Sequence, residues 1–259
     1  MRICIDAGHY LGTPGKRCLK SIDPDETREW VLNSRIADRL QRRLADYGCS
    51  TMRADDPTGR SDVTLAQRVA AAKAWRADVY LSIHHNAGVK GGAGGGIVVY
   101  VHPNAGEEAR TLQRAVYDRV IETTGLRGDR ANPTPSADLY VLRRAEMPAI
   151  LGEFGFMDST TDTPIILTQK YADRAAAGIT AALVQVYGLE EKEMTQEEIR
   201  AIVREEFAAM EAERAGQQAS SWAAELLEQA RAAGITDGSR PQSYATRQEV
   251  AIMVNAAVK

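Results

Sequence analysis

Ala77-Asp78-Val79-Tyr80-Leu81-Ser82-Ile83-His84-His85-Asn86-Ala87 is the stretch whose reading decides the fold. Its centre, residues 79–84, is a short apolar run of strand length. The run ends on a histidine, and in α/β proteins the end of a strand facing a crevice is where functional side chains tend to stand.

Outward from this segment, residues 1 to 188 alternate short apolar runs with amphipathic stretches. That is the pattern of an α/β domain in which helices flank a twisted, largely parallel sheet. Six strands are expected, at residues 2–6, 49–53, 79–84, 97–101, 139–142 and 149–153.

The first helix is expected to open at Asp23-Pro24, because Asp caps free amides and Pro is tolerated in a first turn. It runs on through Leu32, Ile36 and Leu40, which places Glu29 on it. Residues 65–75, 107–124 and 170–187 carry the other helical periodicities.

After Gly188 the composition shifts, and Glu190-Glu191-Lys192-Glu193 marks a solvated connector. Three parts are expected: an α/β domain over 1–188, a helical linker over 189–218 and a small all-α module over 219–259. Thr195-Gln196-Glu197-Glu198 reads as a capping box, followed at helical spacing by Ile199, Ile202, Val203, Phe207 and Met210. So narrow a stripe must pack on something, and a second copy of the chain is the expected partner, giving a homodimer.

Residues 219–259 read as helix, loop, helix, with Thr246-Arg247-Gln248-Glu249 as a further capping box. Some 40 residues are few for an independent core, so this module is expected to pair with a second copy or lean on the connector.

The 259 residues carry a formal net charge of −3, which gives no general electrostatic reason to expect nucleic acid as a partner. No apolar run approaches the roughly 20 residues that span a bilayer. Met1 to Asp6 already read as a strand, so no signal peptide is expected. Synthesis in the cytoplasm with action after release, or a secreted mature form, is the corresponding expectation. Cys4, Cys18 and Cys49 have no C-x-x-C spacing, so neither a disulfide framework nor a thiolate metal site is suggested. Cys4 and Cys49 are expected to be small buried hydrophobes.

There are only four histidines. His9 follows the first strand in Ile5-Asp6-Ala7-Gly8-His9, and His84 ends the third. Each alone is as well explained by packing. Together with a helix carboxylate they suit an open zinc site, where three nitrogen or oxygen ligands leave a fourth position for water of pKa about 7.

These blocks resemble the zinc-dependent N-acetylmuramoyl-L-alanine amidases of bacterial autolysins and phage endolysins, and the resemblance covers nearly all of residues 1–188. Residues 3–9 are similar to the family's strand ending in Asp-x-Gly-His. Glu29, ahead of Leu32-Asn33 and Ile36-Ala37, matches its glutamate before a Leu-Asn…Ile-Ala helix, and this register selects Glu29 over Glu26 and Asp25. Arg53 and Asp56 match a Thr-Arg-x-x-Asp block, with Met52 in place of Thr. Residues 65–68 and 77–87 resemble the most specific segment, whose first histidine is a ligand. Residues 139–144 and 148–156 resemble the strand leading to the catalytic glutamate.

The resemblance implies one zinc ion held by His9, Glu29 and His84, and cleavage of the amide between muramic acid and L-alanine in peptidoglycan. It implies that Glu153 takes the proton of the attacking water and returns it to the departing nitrogen. His85 should point to the opposite face and pack or support the site. Export-signal considerations favour a phage or prophage endolysin over an autolysin. Rival expectations are a zinc aminopeptidase or deacetylase, and a wall-binding protein without activity.

Other features carry less. Gly91-Gly92 and Gly94-Gly95-Gly96 precede a strand with no Gly-Lys-Ser/Thr after them, so they read as a flexible loop beside the cleft. Arg143 and Arg144, with Arg127 and Arg130, are candidates to bind stem-peptide carboxylates, since Arg grips carboxylates bidentately. Residues 230–250, through Gly234-Ile235-Thr236-Asp237-Gly238 and Thr246-Arg247-Gln248-Glu249-Val250, resemble a single S-layer-homology repeat. That resemblance implies wall binding or dimerisation.

Overall fold

A computed structural model describes residues 1–128, 132–192, 195–245 and 247–257. The chain divides into two compact units, Met1–Lys192 and Glu193–Lys259. In the first, the strands are β1 (Arg2–Ala7), β2 (Ser50–Arg53), β3 (Val79–Asn86), β4 (Ile97–Tyr100) and β5 (Ala149–Phe156). They form one sheet in the order β2-β1-β3-β5-β4. Three of its four strand pairs are parallel, and β4 runs antiparallel to β5 at one edge.

Alternation along the strands feeds two cores. Ile3, Ile5 and Ala7 of β1, with Val79, Leu81 and Ile83 of β3, pack on one face. That face is covered by α1 (Glu29–Ala45), α3 (Glu107–Thr124) and α6 (Gln169–Tyr187). Cys4 of β1, Tyr80 of β3 and Leu151 of β5 turn the other way. They meet α2 (Leu65–Ala74) and the short α4 (Tyr140–Arg144). A single-turn helix, α5 (Thr163–Ile166), follows β5. Cys4 is fully buried and Cys49 partly so.

Five strands form instead of six among the described residues, because 139–142 is not a strand. Leu139 is extended at the N-cap and Tyr140–Arg144 coils into one helical turn that drives Val141 and Leu142 into the second core. Four apolar residues satisfy either geometry, and burial on one side of a turn wins here.

The first helix also starts later than expected. Asp23 accepts a hydrogen bond from Thr27 N (2.7 Å), closing a turn before the helix, which opens at Glu29. By contrast α2 begins on a full capping box, in which Thr64 and Gln67 serve each other's backbone amides.

The glycine-rich loop is pinned. Asp158 Oδ2 accepts from Gly88 N and Lys90 N (2.8 and 2.7 Å), and Asp162 Oδ2 accepts from Gly96 N (2.6 Å). A Cβ on Gly95 would lie 2.2 Å from Asp162 Oδ2, so glycine is what lets this loop close on the following segment.

The second unit contains α7 (Gln196–Ala215), α8 (Ala224–Ala232) and α9 (Arg247–Ala257). Ile199, Ile202, Val203, Phe207 and Met210 form an exposed apolar stripe on α7. Glu193, Thr246 and the side chain of Glu198 lie outside the described residues, and with them parts of the connector and of both expected capping boxes. No helix among the described residues is long and apolar enough to cross a membrane.

Candidate metal centre and active site

Where β1 ends, the chain passes through Gly8 into His9, whose φ of 67° is left-handed. Gly8 is needed for a close approach: a Cβ there would lie 2.0 Å from His84 Cε1. His84 comes from the end of β3, beside β1, and Glu29 opens α1 above them.

His9 Nε2 lies 3.3 Å from Glu29 Oε2, and His84 Nδ1 lies 3.0 Å from Glu29 Oε1. The two imidazoles meet edge to face, with centroids 5.0 Å apart. One donor atom from each of the three residues falls within 4.8 Å of the other two.

Glu29 is fully buried at a helix N-terminus, where the helix dipole favours an anion. Burial alone would raise its pKa. The hydrogen bonds and charges of His84 and His9 outweigh that and hold it well below the usual carboxylate range. Burial opposes charge on His84 as well, yet its hydrogen bond to Glu29 and the nearby carboxylates raise its pKa.

Glu29 Oε2 is buried, with His9 Nε2 at 3.3 Å and Lys16 Nζ at 3.6 Å as its polar neighbours. An open buried carboxylate oxygen beside two imidazole nitrogens is a donor set that zinc takes, leaving a position for water. The residues present therefore fit one zinc ion.

Glu153 faces this triad from β5, paired in register with His84 across the sheet. Its Oε2 is sealed from solvent and has no hydrogen-bond partner. Burial pushes its carboxyl up to about 7, against the pull of His84 and with added repulsion from Glu29. A carboxyl balanced between its two forms near neutrality can both take and give a proton.

His85 is buried on the far side of the strand end, with Nδ1 2.7 Å from Asn33 Oδ1. Its backbone N donates to Glu29 Oε1 (3.2 Å), and burial pushes its pKa down to about 3. It packs and supports, outside the triad.

The competing acids lie elsewhere. Glu26 pairs with Arg17 (3.0 Å), and Asp25 is exposed. Arg143 is bound to Asp138 (2.6 Å), lies over the Tyr140 ring, and lines a different cavity with His102 and Glu107. Arg144 and Arg127 are exposed, and Arg130 lies outside the described residues. The structure does not bring these arginines to the triad.

Several supporting residues escaped the sequence reading. Asp6 and Arg68 form a buried ion pair behind His9 (2.5 Å). Asn33 Nδ2 donates to Gly8 O (3.0 Å). Asp55 ties the sheet to α1 by accepting from Ala7 N and Trp30 Nε1 (3.1 and 3.0 Å), while the half-buried Asp56 accepts from Thr58 N and Ser61 N in the turn that follows. The one available signal was Asp6, a charge directly after the apolar run Ile3-Cys4-Ile5. A cavity of about 380 Å³ opens beside His9 and His84, walled by Thr13, Val63 and Leu65.

Comparison with known proteins identifies the family. Residues 3–185 match the Amidase_3 family, described as N-acetylmuramoyl-L-alanine amidase. The amidase CwlM of Bacillus licheniformis is 30% identical over 191 residues, which is 73% of this chain and 70% of that protein. The endolysin of Bacillus phage SPP1 is 29% identical over 137 residues, 52% of this chain and 50% of that one. The crystal structure of an N-acetylmuramoyl-L-alanine amidase from Clostridium difficile 630 superposes with a TM-score of 0.65 at 27% identity, covering 72% of this chain and 96% of that one. The chain thus belongs to the zinc-dependent N-acetylmuramoyl-L-alanine amidases, hydrolases that degrade the bacterial cell wall.

Proposed function

We propose that Glu153 is the proton-transferring base of this amidase and that His9, Glu29 and His84 hold its zinc ion. The observation that carries the assignment is the pairing of an unpartnered, buried Glu153 oxygen with His84 across adjacent strands. Zinc bound by the triad would supply a Lewis acid for the amide carbonyl and lower the pKa of water to about 7. Glu153 removes the proton of the attacking water. The same carboxyl then protonates the L-alanine nitrogen as the bond to the muramoyl lactyl carbonyl breaks.

A buried carboxyl already raised by desolvation suits this double duty better than an exposed one, whose pKa lies far below neutrality. Changing Glu153 to Gln tests the assignment: zinc should stay and turnover should go. Full turnover in that variant would exclude Glu153.

We further infer a phage or prophage endolysin, made in the cytoplasm and reaching the wall once the membrane is breached. Similarity to the phage SPP1 endolysin supports this. Expression in a host with and without a co-expressed holin separates the readings: lysis that requires the holin supports the endolysin, and lysis without it favours an autolysin.

The second unit is proposed to self-associate through α7, whose five stripe residues remain about half exposed, from 47% to 60%. Light scattering of the full chain tests this against an Ile202→Glu/Phe207→Glu variant. A dimer lost in the variant supports it; a monomer in both leaves wall binding, suggested by the S-layer-homology resemblance, as the unit's role.

A further inference from the structure

Behind the triad, one side chain holds the end of β1. Arg68, on α2, is 2% exposed. Its Nη1 donates to Asp6 Oδ1 (2.5 Å) and Ala7 O (2.8 Å), its Nη2 to His9 O (2.8 Å), and its Nε to Val63 O (2.7 Å). The other Asp6 oxygen accepts from Tyr80 OH (2.8 Å) and Ser82 Oγ (2.9 Å), so the counter-ion is itself locked in place.

The rest of the turn is accounted for as fully. Ala7 N is bound by Asp55 Oδ1, Gly8 N by Ile83 O, and Gly8 O by Asn33 Nδ2. Within this frame the two carbonyls either side of Gly8 converge on a single guanidinium. His9 follows in a left-handed conformation that non-glycine residues seldom adopt unless their surroundings impose it. Its ring is thereby presented to Glu29 and His84.

We propose that Arg68 is a positioning residue for the metal centre: its planar fork fixes the backbone of His9 in the conformation that lets the ring ligate zinc. The same guanidinium holds Val63, a wall residue of the cavity beside His9, so the metal site and that cavity share one support. The proposal rests on His9 being a zinc ligand. A lysine at 68 would keep the positive charge for Asp6 but, as a compact point charge, could not serve three carbonyls in fixed directions.

Zinc affinity of the full chain, measured by competition with a chromophoric chelator, provides the test. Outer-shell partners of metal ligands are worth about 10–100-fold in affinity. Arg68→Lys should therefore bind zinc at least about 10-fold more weakly than the wild type. Leu112→Ala, which truncates a fully buried residue on α3, controls for lost stability and should bind zinc as the wild type does. Melting of each metal-free variant is recorded alongside.

Wild-type affinity in Arg68→Lys, or affinity lost equally in Leu112→Ala at equal loss of melting temperature, overturns the proposal. His9→Ala separates it from the assignment beneath it. If His9→Ala loses zinc while Arg68→Lys does not, positioning alone fails; if His9→Ala binds as tightly as wild type, both fail.

Discussion

Glu153 on β5 and His84 on β3 are direct partners in a parallel pair, so one strand register places the carboxyl beside the histidine. The register slips by one residue just beyond, between His84 and Asn86. Side chains alternate along a strand, so a slip one residue earlier would turn Glu153 away from the triad. The position of the Glu153 carboxyl is thus a property of the sheet.

Glu153→Gln follows from this. Shape and zinc content should be unchanged, because Glu153 makes no hydrogen bond at Oε2. Turnover should fall by about 10²–10⁴-fold, the usual worth of a general acid–base group. Metal analysis and amidase rate on the same preparation check both halves.

Gly8→Ala should cost zinc without removing any ligand. The added methyl would overlap the His84 ring at 2.0 Å, and either His84 or the β1 turn must give way. The expected outcome is substoichiometric zinc in a folded protein, read by metal analysis together with circular dichroism.

Asp6→Leu should be among the most damaging substitutions away from the triad. It leaves Arg68 charged and buried without its paired carboxylate. Breaking a buried pair from one side costs about 3–5 kcal/mol, which chemical denaturation would measure.

The pH dependence of the metal-free protein has a definite sign. Glu29, depressed in the fold, contributes stability above its ordinary pKa of 4.5, and this is lost as pH falls. His85, lowered from 6.5 to about 3, likewise contributes above 6.5 and loses its contribution as pH falls toward 3. Glu153, raised to about 7, acts oppositely: its contribution is complete below 4.5 and lost as pH rises through 7. Between 4.5 and 6.5 the last two oppose each other. Below 4.5 Glu29 and His85 weaken the fold together, so melting temperature should drop steeply there, and Glu29→Gln should flatten that limb.

Much of this was legible in the sequence. Strands β1, β3 and β5 announce themselves as apolar runs; His9 follows β1 and His84 stands near the end of β3, while β5 continues past Glu153 to Phe156. Glu29 was legible only through the family resemblance, whose Leu-Asn…Ile-Ala helix fixes its register. Residues 139–142 misled because four apolar residues fit a strand or a helical turn alike, and only the pocket beneath Val141 and Leu142 decides. Asp23-Pro24 misled because Asp23 spends its side chain on a local turn. The Asp6–Arg68 pair joins residues 62 apart, and no spacing rule relates a strand charge to a helix charge before the fold brings them together.

The central claim, hydrolysis of the muramoyl–L-alanine amide at the zinc triad, is tested most directly by mass spectrometry of purified peptidoglycan digested with and without a chelator. The account predicts intact glycan strands and free stem peptides with new L-alanine amino termini, abolished by chelator and restored by zinc. New reducing sugar ends, cleavage within the stem peptide, or release that persists in chelator would contradict it.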